Sequence, residues 1–102
     1  MKVCLLTVDF YLGGCRSLKE KRQRLKGMRE RFGRNPSVAV CESGYQDSHQ
    51  RAQWSFVAAA ANGDVAEQTA SDIMRSIERS VDAEIVDVVR DELVWSAAER
   101  AY

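Results

Sequence analysis

Two stretches of helical period, each set between stretches of strand period, follow one another along a chain of 102 residues. Residues 3–12 alternate, with Cys4, Leu6, Val8, Phe10 and Leu12 on one side and Val3, Leu5, Thr7, Asp9 and Tyr11 on the other. Period two of this length predicts a strand, and Gly13-Gly14 breaks it. Ser17 with Glu20 three residues on reads as a capping box, so a helix starts there. Leu18, Leu25, Met28 and Phe32 then fall within a stripe ~80° wide on one helix, which residues 33–36 close. A short strand over residues 36–42 sets Val38 and Val40 against Ala39 and Cys41. After a turn-like stretch, residues 51–61 alternate Ala52, Trp54, Phe56, Ala58 and Ala60 against Gln53, Ser55, Val57, Ala59 and Ala61, a third strand despite its alanine run. Asp64 with Glu67 reads as a second capping box. Ala66, Ala70, Ile73, Met74, Ile77 and Val81 occupy a stripe ~100° wide on the helix that follows. Residues 83–94 form the fourth strand, carried by Ile85, Val86, Val88 and Val89, and residues 95–102 are a C-terminal extension that adds a turn of helix or frays.

The order β-α-β-β-α-β with one apolar stripe per helix has an economical solution. Both helices pack on one face of a four-stranded antiparallel sheet, giving a ferredoxin-like α+β sandwich over residues 1–102 as a single domain. The opposite sheet face is then uncovered. Val3, Leu5, Tyr11 and much of the third strand make it partly apolar, and such a face wants a second layer. The expected cover is a second copy, making a homodimer, or else the C-terminal tail with Trp95 and Tyr102.

Charge is balanced at 15 basic and 15 acidic residues, and 45% of residues are hydrophobic, which is ordinary for a globular domain. The balance hides an asymmetry. Residues 16–34 hold nine basic residues against Glu20 and Glu30, a net +7; residues 64–102 hold four basic and ten acidic, a net −6. Such asymmetry signals a partner, or two solvated faces that pair with each other or with a second copy. Cys4, Cys15 and Cys41 are odd in number and widely spaced, which argues against a disulfide framework and against a zinc site. No stretch is long enough to span a membrane. Residues 1–6 read as strand rather than as a signal peptide, so the expected location is cytoplasmic.

Candidate sites follow from charge and turn chemistry. Arg16, Lys19, Lys21, Arg22, Lys26 and Arg29 wrap the first helix in cations, an arrangement that can track the phosphates of structured RNA. The helix N-terminus behind Gly13, Gly14 and Arg16 offers backbone N–H groups to one phosphate. Lys21 is the odd member, because its helical angle puts it inside the apolar stripe; it must snorkel out or meet a partner. A second group, Tyr45, Gln46, Asp47, His49 and Arg51, lies in a turn, where binding residues often sit. His49 near Asp47 could act as a general base, and Cys15 with His49 could in principle form a nucleophile pair. The plainer reading is turn chemistry beside a strand edge. Trp54 and Phe56 read as core, since no aromatic RNA-recognition pattern surrounds them.

The stretch Cys15-Arg16-Ser17-Leu18-Lys19-Glu20-Lys21-Arg22 resembles the "ARSLKDKR" signature of the YlxP-like family of small bacterial proteins. Tyr45-Gln46-Asp47 followed by Gln50-Arg51-Ala52, and the closing Glu84-Ile85-Val86-Asp87, resemble its other blocks, with His49 where the family commonly has an aromatic residue. The resemblance implies a ferredoxin-like fold and a protein of unknown function. The family's genes often lie among translation genes, which points toward RNA or the ribosome by association. The leading expectation is therefore a non-enzymatic cytoplasmic protein that touches structured RNA or a ribosomal subunit through the basic loop-helix. The alternative is an assembly module acting as a homodimer. An acylphosphatase-like enzyme, with the loop Gly13-Gly14-Cys15-Arg16 around a phosphate, is the remote third. No cofactor or metal is expected.

Overall fold

The computed structural model describes residues 1–96. The order is β1 (Lys2–Tyr11), α1 (Leu18–Arg24), α2 (Met28–Gly33), β2 (Val38–Gly44), β3 (Arg51–Ala60), α3 (Gly63–Ser80) and β4 (Glu84–Val94). The strands form one sheet in the order β2-β3-β1-β4, antiparallel throughout. This is the α+β ferredoxin-like arrangement.

Inward alternation builds the core. Cys4, Leu6, Val8 and Phe10 of β1 and Ala52, Trp54, Phe56 and Ala58 of β3 are buried against the helices. Side-chain size divides that layer. At one end Cys4 clusters with Ala66 and Ala70 of α3, and Ala60 packs against them, so small residues let α3 approach the sheet. At the other end Phe10, Trp54 and Phe56 pack with Leu25, Met28, Phe32 and Ile77, and Phe32 meets Phe56 edge to face at 5.4 Å between ring centroids. The alanine run is strand because β3 is central: Ala58 pairs with Cys4 on one side and with Val38 on the other. Two ladders outweigh a propensity of a few tenths of a kcal/mol per residue.

Three local expectations are corrected. The single helix expected from Ser17 to Phe32 is two, separated at residues 25–27, where Gly27 takes φ 91°. That left-handed conformation is open mainly to glycine. Ser17 does cap α1, its Oγ accepting from Glu20 N at 3.0 Å. The Glu20 carboxylate, however, accepts from Arg16 N at 2.8 Å, one residue upstream of the reciprocal partner. The second capping box is absent. Asn62 caps α3 by accepting from Asp64 N at 2.9 Å, while Glu67 pairs with Lys2 of β1.

On the uncovered face, neighbouring strands bring together Leu93, Val3 and Ala59, then Asp91, Leu5, Val57 and Ala39. Next comes a hydroxyl row: Thr7 Oγ1 and Ser55 Oγ lie 2.8 Å apart, and Ser55 Oγ and Ser43 Oγ 2.7 Å. Edge strand β4 is the most exposed element, with Val86, Val88, Val89, Leu93 and Val94 all in solvent. α3 packs over β1 and β3, and reaches β4 through Arg90, which donates to Glu67 O and Ser71 Oγ. Trp95 N donates to Met1 O at 2.8 Å. The expected cover from Tyr102 and the rest of residues 97–102 lies outside the described residues. No described helix is long and apolar enough to cross a membrane.

Candidate nucleic-acid interface

The basic segment divides into cations that hold the fold and cations that do not. Arg24 donates to Gly13 O at 2.8 Å and to Asp82 O at 3.0 Å, tying the β1–α1 loop to the α3–β4 loop. Arg31 donates to Ser76 and Ser80 of α3. By contrast Arg16, Lys19, Arg22 and Lys26 are exposed and have no side-chain partner among the described residues, a condition shared only with Arg34 and Arg79. Arg29 is exposed and rests its guanidinium over the Trp54 ring, 5.8 Å from the centroid. Lys19 and Arg22 are one turn apart on α1 and so share a flank.

Lys21, expected among the contacting cations, is instead 3% exposed. Its Nζ donates to Tyr45 O at 2.7 Å and to Ser48 O at 2.9 Å, and stands 3.7 Å from Glu42 Oε1. A buried ammonium needs such partners, and here three internal ones replace a ligand. The two groups of candidate residues thereby become neighbours, because Lys21 pins the β2–β3 turn to α1. The turn is otherwise self-supporting. Tyr45 sits at φ 59°, Ser48 N donates to Tyr45 O at 3.0 Å, Gln46 Nε2 donates to Glu42 O at 3.2 Å, and the Arg51 guanidinium lies 4.8 Å from the centroid of the Tyr45 ring.

Asp47 and His49 border an open depression of ≈ 310 Å³ with Cys15, Ser48 and Gln50. Cys15 is buried and its Sγ donates to Ser17 O at 3.5 Å. No hydrogen bond joins His49 to Asp47 or to Cys15 among the described residues, so neither proposed catalytic pair is assembled. The glycine loop is likewise engaged with its own chain. Cys15 N donates to Leu12 O at 3.2 Å, Gly13 O accepts from Arg24, and Arg16 N is taken by Glu20. One donor of the phosphate seat expected behind Gly13 and Gly14, Arg16 N, is therefore already taken by a carboxylate.

The feature missed by sequence reasoning is a cleft of ≈ 440 Å³ at the break between α1 and α2. Lys21, Arg22, Lys26 and Arg29 line it with Leu25, Gly27, Glu30, Glu42 and Trp54. Trp54 is 7% exposed, and its Nε1 has no hydrogen-bond partner among the described residues, an uncommon condition for a buried donor. Gly27 was the available signal, since a glycine inside a helical stripe can end the helix.

No curated protein matches the chain. Among solved structures, it is similar to the de novo designed protein Foldit4, at 13% identity and TM-score 0.58 over 94% of this chain and 100% of that one. It is also similar to the structural-genomics protein YJCS, at 10% identity and TM-score 0.51 over 87% and 96%. A third likeness is to an amidase of the hydantoinase/carbamoylase family from Burkholderia multivorans, at 9% identity and TM-score 0.54, covering 91% of this chain and 27% of that one. At these identities the likeness is one of fold. A family model described as "Protein of unknown function (DUF503)" matches residues 3–90.

Proposed function

The chain belongs to the DUF503 family, and because that family's description assigns no activity, we propose a function from the geometry: a non-enzymatic cytoplasmic protein that binds structured RNA, on or off a ribosomal subunit. One observation carries this reading. The side chains of Arg16, Lys19, Arg22 and Lys26 have no partner among the described residues, with Arg29 held there only by a ring, whereas Lys2, Lys21, Arg24, Arg75 and Arg90 all bond to groups of their own chain. Exposed cations without internal partners on one short segment are what phosphate contact and counterion release require. The contact reads the backbone and little of the sequence. The resemblance of residues 15–22 to the YlxP-like signature supports the same direction.

The test is electrophoretic mobility shift with a structured RNA. About five phosphate contacts correspond to an affinity loss on the order of 10²–10³-fold between roughly 50 and 200 mM salt. The combined Lys19→Glu, Arg22→Glu, Lys26→Glu variant abolishes binding at low salt. Wild-type affinity in that variant, with unchanged salt dependence, sinks the proposal.

A second reading, an assembly module that forms a homodimer, is favoured by the apolar rows of the uncovered face together with the exposure of Val89 at 49% and Leu93 at 57% on β4. Its check is sedimentation equilibrium of wild type beside Leu93→Lys. A dimer that the substitution converts to monomer supports it; a wild-type monomer at the highest soluble concentration removes it.

A further inference from the structure

We infer that the cleft at the α1–α2 break takes one unstacked base of the bound RNA, of the kind that carries an exocyclic amino group. This deepens the RNA reading and rests on it for the identity of the macromolecule.

The lining selects the ligand. The exposed cations Arg22, Lys26 and Arg29 line the cleft with the buried Leu25 and Trp54, with Glu30, and with Glu42 beside the buried Lys21. A bare anion would gain from the cations but meet two carboxylates. A wholly apolar ligand would bury all of these charges without partners. A nucleotide has the matching parts: a phosphate for the cations, a flat ring for the apolar side chains, and amino N–H donors for a carboxylate, as when a Glu accepts from a cytosine amino group. RNA displays such bases where they are unpaired, and proteins receive them on aromatic or guanidinium planes. The ≈ 440 Å³ of the cleft lies within the usual range for small ligands.

Two details make it a poised site. The first is the Trp54 Nε1–H, a buried donor with no acceptor among the described residues; a base that displaces its cover would supply one through a ring nitrogen or carbonyl oxygen. The second is Arg29, whose guanidinium lies over the indole at 5.8 Å and has no hydrogen bond or ion pair among the described residues. It can turn to a phosphate and yield the ring, or keep its place and offer its own plane to the base. Glu42 Oε1 is 3.7 Å from Lys21 Nζ, which holds the carboxylate in the lining of the cleft.

The experiment is a titration of ¹⁵N-labelled wild-type protein, following the indole Nε1–H resonances of Trp54 and Trp95, assigned with Trp95→Phe. The probes are cytidine 5′-monophosphate and uridine 5′-monophosphate. Cytidine monophosphate shifts the Trp54 indole signal saturably and binds about tenfold more tightly than the uridine nucleotide, the factor that one hydrogen bond supplies. Glu42→Gln narrows that preference. In parallel, an RNA hairpin with one bulged cytidine binds about tenfold more tightly than the fully paired stem. If both hairpins bind alike and neither nucleotide moves the Trp54 indole, the cleft inference is overturned while RNA binding stands. If no RNA binds but cytidine monophosphate still shifts the indole, the base site holds and the RNA reading falls.

Discussion

Replacing Lys21 with methionine tests whether the turn is held by a buried charge. The substitution keeps an unbranched apolar stem of similar length and removes the ammonium. Two charge-assisted hydrogen bonds disappear, at 2.7 and 2.9 Å. Their acceptors fare differently. Tyr45 O still accepts from Ser48 N, whereas Ser48 O has no other partner among the hydrogen bonds described. Glu42, with its side chain 23% exposed, can turn to water. A hydrogen bond to a charged group contributes ~1.5–3 kcal/mol, and an unsatisfied carbonyl costs about 1–3 kcal/mol. Relief from desolvating an ammonium offsets part of this. The net loss is about 2–4 kcal/mol, or roughly 10–25 °C in melting temperature for a domain of this size. Urea denaturation followed by tryptophan fluorescence measures it, and hydrogen exchange at the Ser48 amide reports the turn directly. Lys21→Arg does not rescue, because a planar fork cannot reproduce the tetrahedral donor set. Affinity of the folded methionine variant for a fully paired RNA stem stays within about twofold, since this lysine is no phosphate contact. A stability change under about 1 kcal/mol would show that the pin is ornamental.

Gly27→Ala meets no atom within 4 Å of the added carbon, so its whole cost is the backbone at φ 91°, about 1–2 kcal/mol; an unchanged urea midpoint contradicts the helix break. Acid stability depends on the Lys2–Glu67 pair. The hydrogen bond from Lys2 and then its charge hold the Glu67 carboxyl below the usual range. The unfolded chain thus binds the proton first, and stability present above the ordinary glutamate value is lost as pH falls through the lowered one. Glu67→Gln flattens that acid limb, and a limb of equal steepness in the variant counts against the pairing. The same pair raises Lys2, chiefly through its hydrogen bond to Glu67. At the alkaline end, stability present below the ordinary lysine value is lost as pH rises through the raised one, and Lys2→Met removes that alkaline loss.

How much of this was legible depends on the range of the cause. Strand alternation and helical stripes are consequences of burial on one side, so Phe10, Phe56 and Ile77 announce themselves locally. The division of the basic helix is not local in that sense. Leu25, Met28 and Phe32 keep helical spacing across the break, and only Gly27 hints that the path between them bends. The switch from an Asp64 cap to an Asn62 cap turns on where the chain leaves β3, which no period encodes. Lys21 was visible as an anomaly inside the apolar stripe, but its acceptors are backbone carbonyls 24 and 27 residues away, and carbonyls leave no trace in residue identity. The cleft was hidden for the same reason: Trp54 is spaced as core and is core, and its unpaired nitrogen is a property of its surroundings.

The position of β1 between β3 and β4 has a consequence for the growing chain. β1 pairs with β3 from Lys2 with Ala60 to Tyr11 with Arg51, so one of its edges can be closed once Ala60 has emerged. Its other edge pairs with β4 as far as Lys2 with Val94. Those 34 further residues (94 − 60) take several seconds at roughly 5–20 residues per second. During that interval an apolar strand presents an open row of N–H and C=O groups, the situation that invites pairing with other chains. Lengthening the closed loop adds little entropy, so delay rather than chain entropy sets the hazard. β4 buries little of itself, and its main service is to shut that edge. A stop within β4 would turn a lapse of seconds into a permanent exposure.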